Sequence, residues 1–135
     1  MKNTLQAGVT RQVSVPIDAS RTIDFLGEQL RVYATPALVR DFEVLCRELL
    51  LEHCDSGEDS VGTGICISHT GATLLGMNVA LRAEVTAIDR RLVKFALSAH
   101  DGVESVSAGE HTRAVVEVEK LRTRLAAKAA AAKAG

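Results

Sequence analysis

Aromatic side chains make up only 3% of the 135 residues, and tryptophan is absent. The formal net charge is −1. The chain therefore lacks both the stacking platforms and the positive field by which proteins hold nucleic acid or anionic membrane surfaces. The three cysteines, Cys46, Cys54 and Cys66, are odd in number and form no C-x-x-C pair. That argues against a disulfide framework and for a reducing, cytoplasmic compartment. No apolar run is long enough to span a bilayer, and Met1-Lys2-Asn3-Thr4 does not open a signal peptide. His53, Cys54, Asp55 and Glu58 lie close together without a zinc-ligand spacing and read as a polar surface loop. Gly62-Thr63-Gly64 is followed by no Lys-Ser/Thr, so it is not a phosphate loop. No metal and no cofactor are expected.

What is present is a chain of 47% hydrophobic composition, one domain by length and large enough for a sizeable core. Residues 8–16 alternate and stop at Pro16, as a strand does, while 17–34 read as a turn or a lid-like loop. Residues 35–53 carry the one long helical period. Leu38, Val39, Phe42, Leu45, Cys46, Leu49 and Leu50 share a face, with Thr35 as N-cap and Pro36 at the first helical position. Glu43 lies on the shoulder of that apolar stripe, where a carboxylate is costly unless paired or used.

Strands are predicted over Val61–His69, Met77–Ala87, Val93–Ala99 and Val103–Glu119. In the first, Val61, Thr63, Ile65, Ile67 and His69 should share one face. Asp101-Gly102 forms a hairpin turn, and Gly109 marks a bulge. Cys46 and Cys66 read as small core residues. The order is strand, long helix, four strands in a meander, and an Ala/Lys-rich helical tail. This implies an α+β domain in two layers, an antiparallel sheet wrapped around a central helix, with a free sheet edge available for association. Residues 1–120 form the domain and 121–135 the tail.

Three segments carry a resemblance: Ser60-Val61-Gly62-Thr63-Gly64-Ile65-Cys66-Ile67-Ser68-His69-Thr70-Gly71-Ala72-Thr73, Ser98-Ala99-His100-Asp101-Gly102-Val103, and His111-Thr112-Arg113-Ala114-Val115. They resemble the hot-dog thioesterases of the fluoroacetyl-CoA thioesterase-like branch over about Val32 to Lys120. The resemblance implies a hot-dog fold, a homodimer joined edge to edge, and active sites between the subunits. It implies hydrolysis of a short-chain acyl-CoA, with CoA as part of the substrate rather than a cofactor. It assigns Thr35, Glu43 and His69 to catalysis, Glu43 as nucleophile or general base, His69 as acid and base, and Thr35 as a hydrogen-bonding partner that orients Glu43 or the carbonyl. Gly62 would offer its backbone N–H to the site, and Arg113 would lie near the mouth of the CoA site. Before the helix, a lid segment that carries aromatics in the fluoroacetyl-specific enzyme is shorter here, and Gln29, Leu30 and Arg31 stand in that stretch. Fluorine selectivity is therefore not implied. A hot-dog module that binds acyl-CoA without turnover is the alternative, and hydratase chemistry lacks an evident acid–base pair.

Overall fold

The computed structural model describes residues 1–134. Strand β1 (Thr10–Pro16) leads through two short 3-10 turns, Ala19–Arg21 and Glu28–Leu30, to helix α1 (Thr35–Leu51). Strands β2 (Glu58–His69), β3 (Asn78–Asp89), β4 (Leu92–His100) and β5 (Ser105–Glu117) follow, and helix α2 (Val118–Ala134) closes the chain. The tail helix thus begins at Val118 rather than beyond Lys120, and none of its residues is buried.

All strand pairs are antiparallel, in the order β1-β3-β4-β5-β2. Only β3, β4 and β5 form a meander, which corrects the four-strand expectation: β2 pairs with β5 on the far side of the sheet. The segment 70–77 is too long for a hairpin and travels across the end of the sheet. It bonds to Val106 at its start and to Ile17 at its finish (Thr70 N to Val106 O 2.9 Å, Gly76 N to Ile17 O 2.8 Å). β1 and β2 are the two edges.

The sheet turns Val79, Leu81, Ala83, Val85, Val93, Phe95, Leu97 and Ala99 inward against α1, as the alternation of β3 and β4 predicts. From α1, Leu38, Phe42, Leu45, Cys46, Leu49 and Leu50 are buried, while Val39 on the same predicted face is only partly covered. The helix is capped at Ala34, with no side-chain hydrogen bond at the cap. Thr35 is already helical, so its hydroxyl is not used as the cap. A missing cap costs about 1 kcal/mol, whereas each buried Leu or Phe contributes about 1.5–3 kcal/mol. Packing decides where this helix forms.

Register slips in β2 at Gly62/Gly64, where Thr63 is the extra residue opposite Arg113 and Thr112 of β5. A bulge reverses the inward face. Ser60 and Gly62 face the helix before it, and Ile65, Ile67 and His69 do so after it. The single face predicted for Val61, Thr63, Ile65, Ile67 and His69 is therefore split, and Val61 is exposed. Cys66 points outward and is exposed, which corrects its reading as a core residue; Cys46 is buried.

Gly109 is not a bulge. It pairs in regular register with Ile67 on one side and Leu97 on the other. Its hydrogen is required because a Cβ there would lie 2.2 Å from the Cys66 carbonyl oxygen and 2.7 Å from Ile67 Cα. Both are backbone atoms that cannot swing away. Gly109→Ala is expected to cost about 2–4 kcal/mol, the scale of overpacked core sites, read as a loss of several degrees in Tm.

Candidate active site

Two groups of polar side chains lie between α1 and β2, one near each end of the strand. The first stands where β2 ends. Thr35 occupies the first turn of α1, and its hydroxyl lies 2.8 Å from His69 Nδ1. The hydroxyl freed from capping is the group that orients the imidazole. Tyr33 meets the His69 ring edge-on, with centroids 6.1 Å apart. Tyr33 is itself buried, and its hydroxyl donates to Asp41 at 2.5 Å. Arg21 Nε reaches the same carboxylate at 3.0 Å, so the segment before the helix is pinned to α1. A depression of about 270 Å³ opens here, lined by Ile23, Val32, Ala34, Thr35, His69 and Ala72 among others. A larger cleft of about 610 Å³ lies by Arg21, Arg40, Asp41 and Val44. It contains none of the predicted catalytic side chains, so the smaller depression is the one beside chemistry.

The second group stands at the bulge. Glu43 projects from the middle of α1 onto the backbone of β2: a Cβ at Gly62 would lie 2.7 Å from Glu43 Oε2. A side chain at this position would displace the Glu43 carboxylate from where it lies. The Glu43 side chain is 43% exposed and its Oε2 lies 3.5 Å from Arg113 Nη1. Arg113, which the resemblance implies lies near the mouth of the CoA site, is buried within the single chain. It points from β5 into the layer between sheet and helix, with only 5% of its side chain exposed. Its Nε donates to Ser60 Oγ (2.8 Å) and its Nη2 to the Ser60 carbonyl (2.9 Å). Its inward direction follows from its place in β5, where His111, Arg113 and Val115 alternate on the buried face.

His111, to which the resemblance assigned no role, completes this group. Its Nδ1 lies 2.8 Å from the Gly64 carbonyl and its Nε2 3.2 Å from Arg113 Nη1. A carbonyl only accepts, so Nδ1 carries the proton and Nε2 accepts from the guanidinium. The H-x-R spacing that puts both residues on one strand face was the available signal.

Burial holds His69 below its ordinary value, against a smaller opposing pull from the Gly71 backbone. Burial also lowers His111, and Arg113 adds to the effect. Both imidazoles are neutral near pH 7. Histidines depressed in the folded state bind fewer protons than in the unfolded chain. Their contribution to stability is present above the unfolded value of 6.5 and is lost as pH falls through the folded values below it. The urea midpoint is expected to be flat above about pH 6.5 and to decline as pH falls below it.

The structure thus joins Thr35 to His69 and Glu43 to Gly62 and Arg113, but does not join the two groups within one chain. Thr35 and Glu43 are about 12 Å apart along the helix axis, and Gly62 and His69 about 20 Å apart along the strand. No cluster of His, Cys, Asp or Glu among the described residues has the geometry to hold a metal.

A family model described as fluoroacetyl-CoA-specific thioesterase matches residues 17–119. A fluoroacetyl-CoA thioesterase of Streptantibioticus cattleyicolor is 37% identical over 94 residues, covering 70% of this chain and 68% of that protein. Among solved structures, a single-residue variant of a fluoroacetyl-CoA-specific thioesterase, in complex with fluoroacetate and CoA, matches with a TM-score of 0.80. It is 31% identical, with 87% of this chain and 99% of that chain covered. A hot-dog-like protein from Thermanaerovibrio acidaminovorans matches at a TM-score of 0.83 and 23% identity, over 90% and 91% of the two chains, a likeness of fold alone.

Proposed function

The chain belongs to the fluoroacetyl-CoA-specific thioesterase family, a family of thioester hydrolases with the hot-dog fold, and from that premise we propose that it hydrolyses short-chain acyl-CoA at a site shared by two copies. The observation that carries the shared site is the separation of Thr35–His69 from Glu43–Gly62 along β2. A carbonyl in attack geometry lies about 3–3.5 Å from its nucleophile, so one chain cannot present both groups to it.

Edge pairing resolves the separation. β2 is a 12-residue edge strand without Lys or Pro, the kind of edge that invites a partner. The other edge, β1, is blunted by Arg11 and Pro16. Antiparallel pairing of β2 with the β2 of a second copy, about a twofold axis near Ile65 and Cys66, sets the Gly62 end of one strand beside the His69 end of the other. Each dimer then holds two sites, each with Glu43 from one subunit and Thr35 and His69 from its partner.

At such a site Glu43 attacks the thioester carbonyl or takes a proton from the attacking water, while the Gly62 N–H faces the developing oxyanion. The tetrahedral intermediate expels the CoA thiolate. Where Glu43 has taken the water's proton, the His69 ring, with Nδ1 held by Thr35, passes that proton through Nε2 to the leaving sulfur. Where Glu43 has attacked, Nε2 takes a proton from the water that hydrolyses the mixed anhydride and gives it to the sulfur, freeing the acid and the Glu43 carboxylate. The depression of about 270 Å³ beside His69 receives the acyl group. Phe25, Leu26 and Leu30 stay exposed and do not close over it, so we assign short acyl groups without fluorine selectivity. CoA is part of the substrate and no cofactor takes part. The three free cysteines fit a cytoplasmic location.

Release of free thiol from a panel including acetyl-, propionyl- and fluoroacetyl-CoA tests this reading. Turnover of the short acyl-CoAs, with fluoroacetyl-CoA within about tenfold of acetyl-CoA, is expected. Saturable binding with no thiol release would make the protein a binding module, and a strong preference for the fluorinated substrate would overturn the assignment of the open lid segment.

A further inference from the structure

A polar cluster, almost wholly buried, lies behind Glu43. Ser60, His111 and Arg113 are each less than 7% exposed, at 6%, 2% and 4%. A buried guanidinium is costly unless its donors are satisfied, and here three of its contacts are made without Glu43. Ser60 takes Nε on its hydroxyl and Nη2 on its carbonyl, and His111 Nε2 takes one Nη1 proton. Those contacts fix the plane of the guanidinium before the carboxylate is considered.

His111 can serve as acceptor only because its other nitrogen is committed. Nδ1 donates to the Gly64 carbonyl, the backbone group that the bulge turns toward it. The ring is further confined by Phe95, stacked at 26° with centroids 6.2 Å apart. The remaining neighbours offer Arg113 no rival anion. Asp59 is held by Arg47 at 2.7 Å, and burial raises the Cys46 thiol to about 12, so it is neutral.

We infer that Ser60 and His111 are positioning residues for the reaction, acting through Arg113 to hold Glu43 Oε2 over Gly62 and leave Oε1 to the substrate. This rests on the reading of Glu43 as nucleophile or base. It assigns Arg113 to the protein's own carboxylate rather than to CoA. The cluster makes the bulge part of the catalytic geometry: the slip at Thr63 supplies the Gly64 carbonyl that fixes His111, and the Gly62 backbone over which Glu43 lies.

A double-mutant cycle tests it. His111→Phe keeps the ring and its stacking but removes both polar contacts; Ser60→Ala removes only the hydroxyl acceptor. His111→Phe is expected to lower kcat about 30-fold with KM changed by less than about twofold, the signature of misplaced reacting groups. Ser60→Ala should lower kcat about tenfold, and Ser60→Thr, which keeps the hydroxyl, should restore most of it. In a Glu43→Gln background neither change should lower the residual rate by more than about twofold, because nothing remains to be positioned. Equal losses in both backgrounds would overturn the positioning role alone and mark the cluster as structural. Near-wild-type activity of Glu43→Gln would overturn the reading of Glu43 itself, and the positioning role with it. If His111→Phe does not fold, the Ser60 variants carry the same cycle.

Discussion

Glu43→Gln is expected to lower kcat by about 10³-fold or more while the protein stays folded. A catalytic proton acceptor contributes about 10²–10⁴-fold, and a residue that attacks covalently adds to that, because glutamine is neither base nor nucleophile under these conditions. The substitution changes one heavy atom on a side chain that is 43% exposed, so little packing is lost. It does remove the charge that faces Arg113 at 3.5 Å. Leaving a buried cation without its partner costs up to about 3–5 kcal/mol. The Ser60 and His111 contacts to Arg113 survive, and solvent reaches Glu43, so a cost of about 1–2 kcal/mol is the reasonable scale. Stability measured alongside activity separates the two effects. A small drop in Tm with almost complete loss of turnover is the expected pair, and near-wild-type kcat would remove Glu43 from the chemistry.

The second large effect is at His69. His69→Ala is expected to lower kcat by about 10²–10³-fold, since the leaving thiolate loses its proton donor and the attacking group its relay. Burial keeps the ring neutral near pH 7, so it begins the cycle able to take a proton. Activity of the parent protein should therefore fall on the acid side of about pH 6.5, a limb that His69→Ala flattens. Thr35→Ala should act more mildly, about tenfold. It removes only the 2.8 Å contact that holds Nδ1, and its hydroxyl caps no helix. A loss of helical stability without a loss of kcat in Thr35→Ala would contradict this division of labour.

The parts of this arrangement that follow from local periodicity were legible in the chain. The apolar stripe of α1, broken by Glu43, is a 3.6-residue pattern, and the alternation of Val79 to Val85 and Val93 to Ala99 is a two-residue pattern. Both survive into the structure because the side chains that write the pattern are those that are buried. Features set by backbone irregularity were not legible. One extra residue at Thr63 reverses the faces of β2, which puts Cys66 outside and Gly62 under Glu43. Nor does a strand's own pattern name its neighbour, so the place of β2 beside β5 rather than β3 could not be read locally. The catalytic pairing was half legible. Thr35 was expected to orient Glu43 or the carbonyl, but its hydroxyl meets His69 instead, and the misreading of Thr35 as a cap came from propensity, which packing overrides. Arg113 was noticed, but its burial and its dependence on Ser60 and His111 are tertiary facts.

The claim on which the account turns is that Glu43 and His69 of one site come from different subunits. Mixing two inactive variants, Glu43→Gln and His69→Ala, under conditions that exchange subunits tests it most directly. If the site is shared, each mixed dimer regains one site with both residues intact, and random exchange should restore roughly a quarter of the parent activity per chain. If both residues of a site came from the same chain, every site in every dimer would still lack one of them, and activity would remain at the level of the separate variants, which would contradict the account.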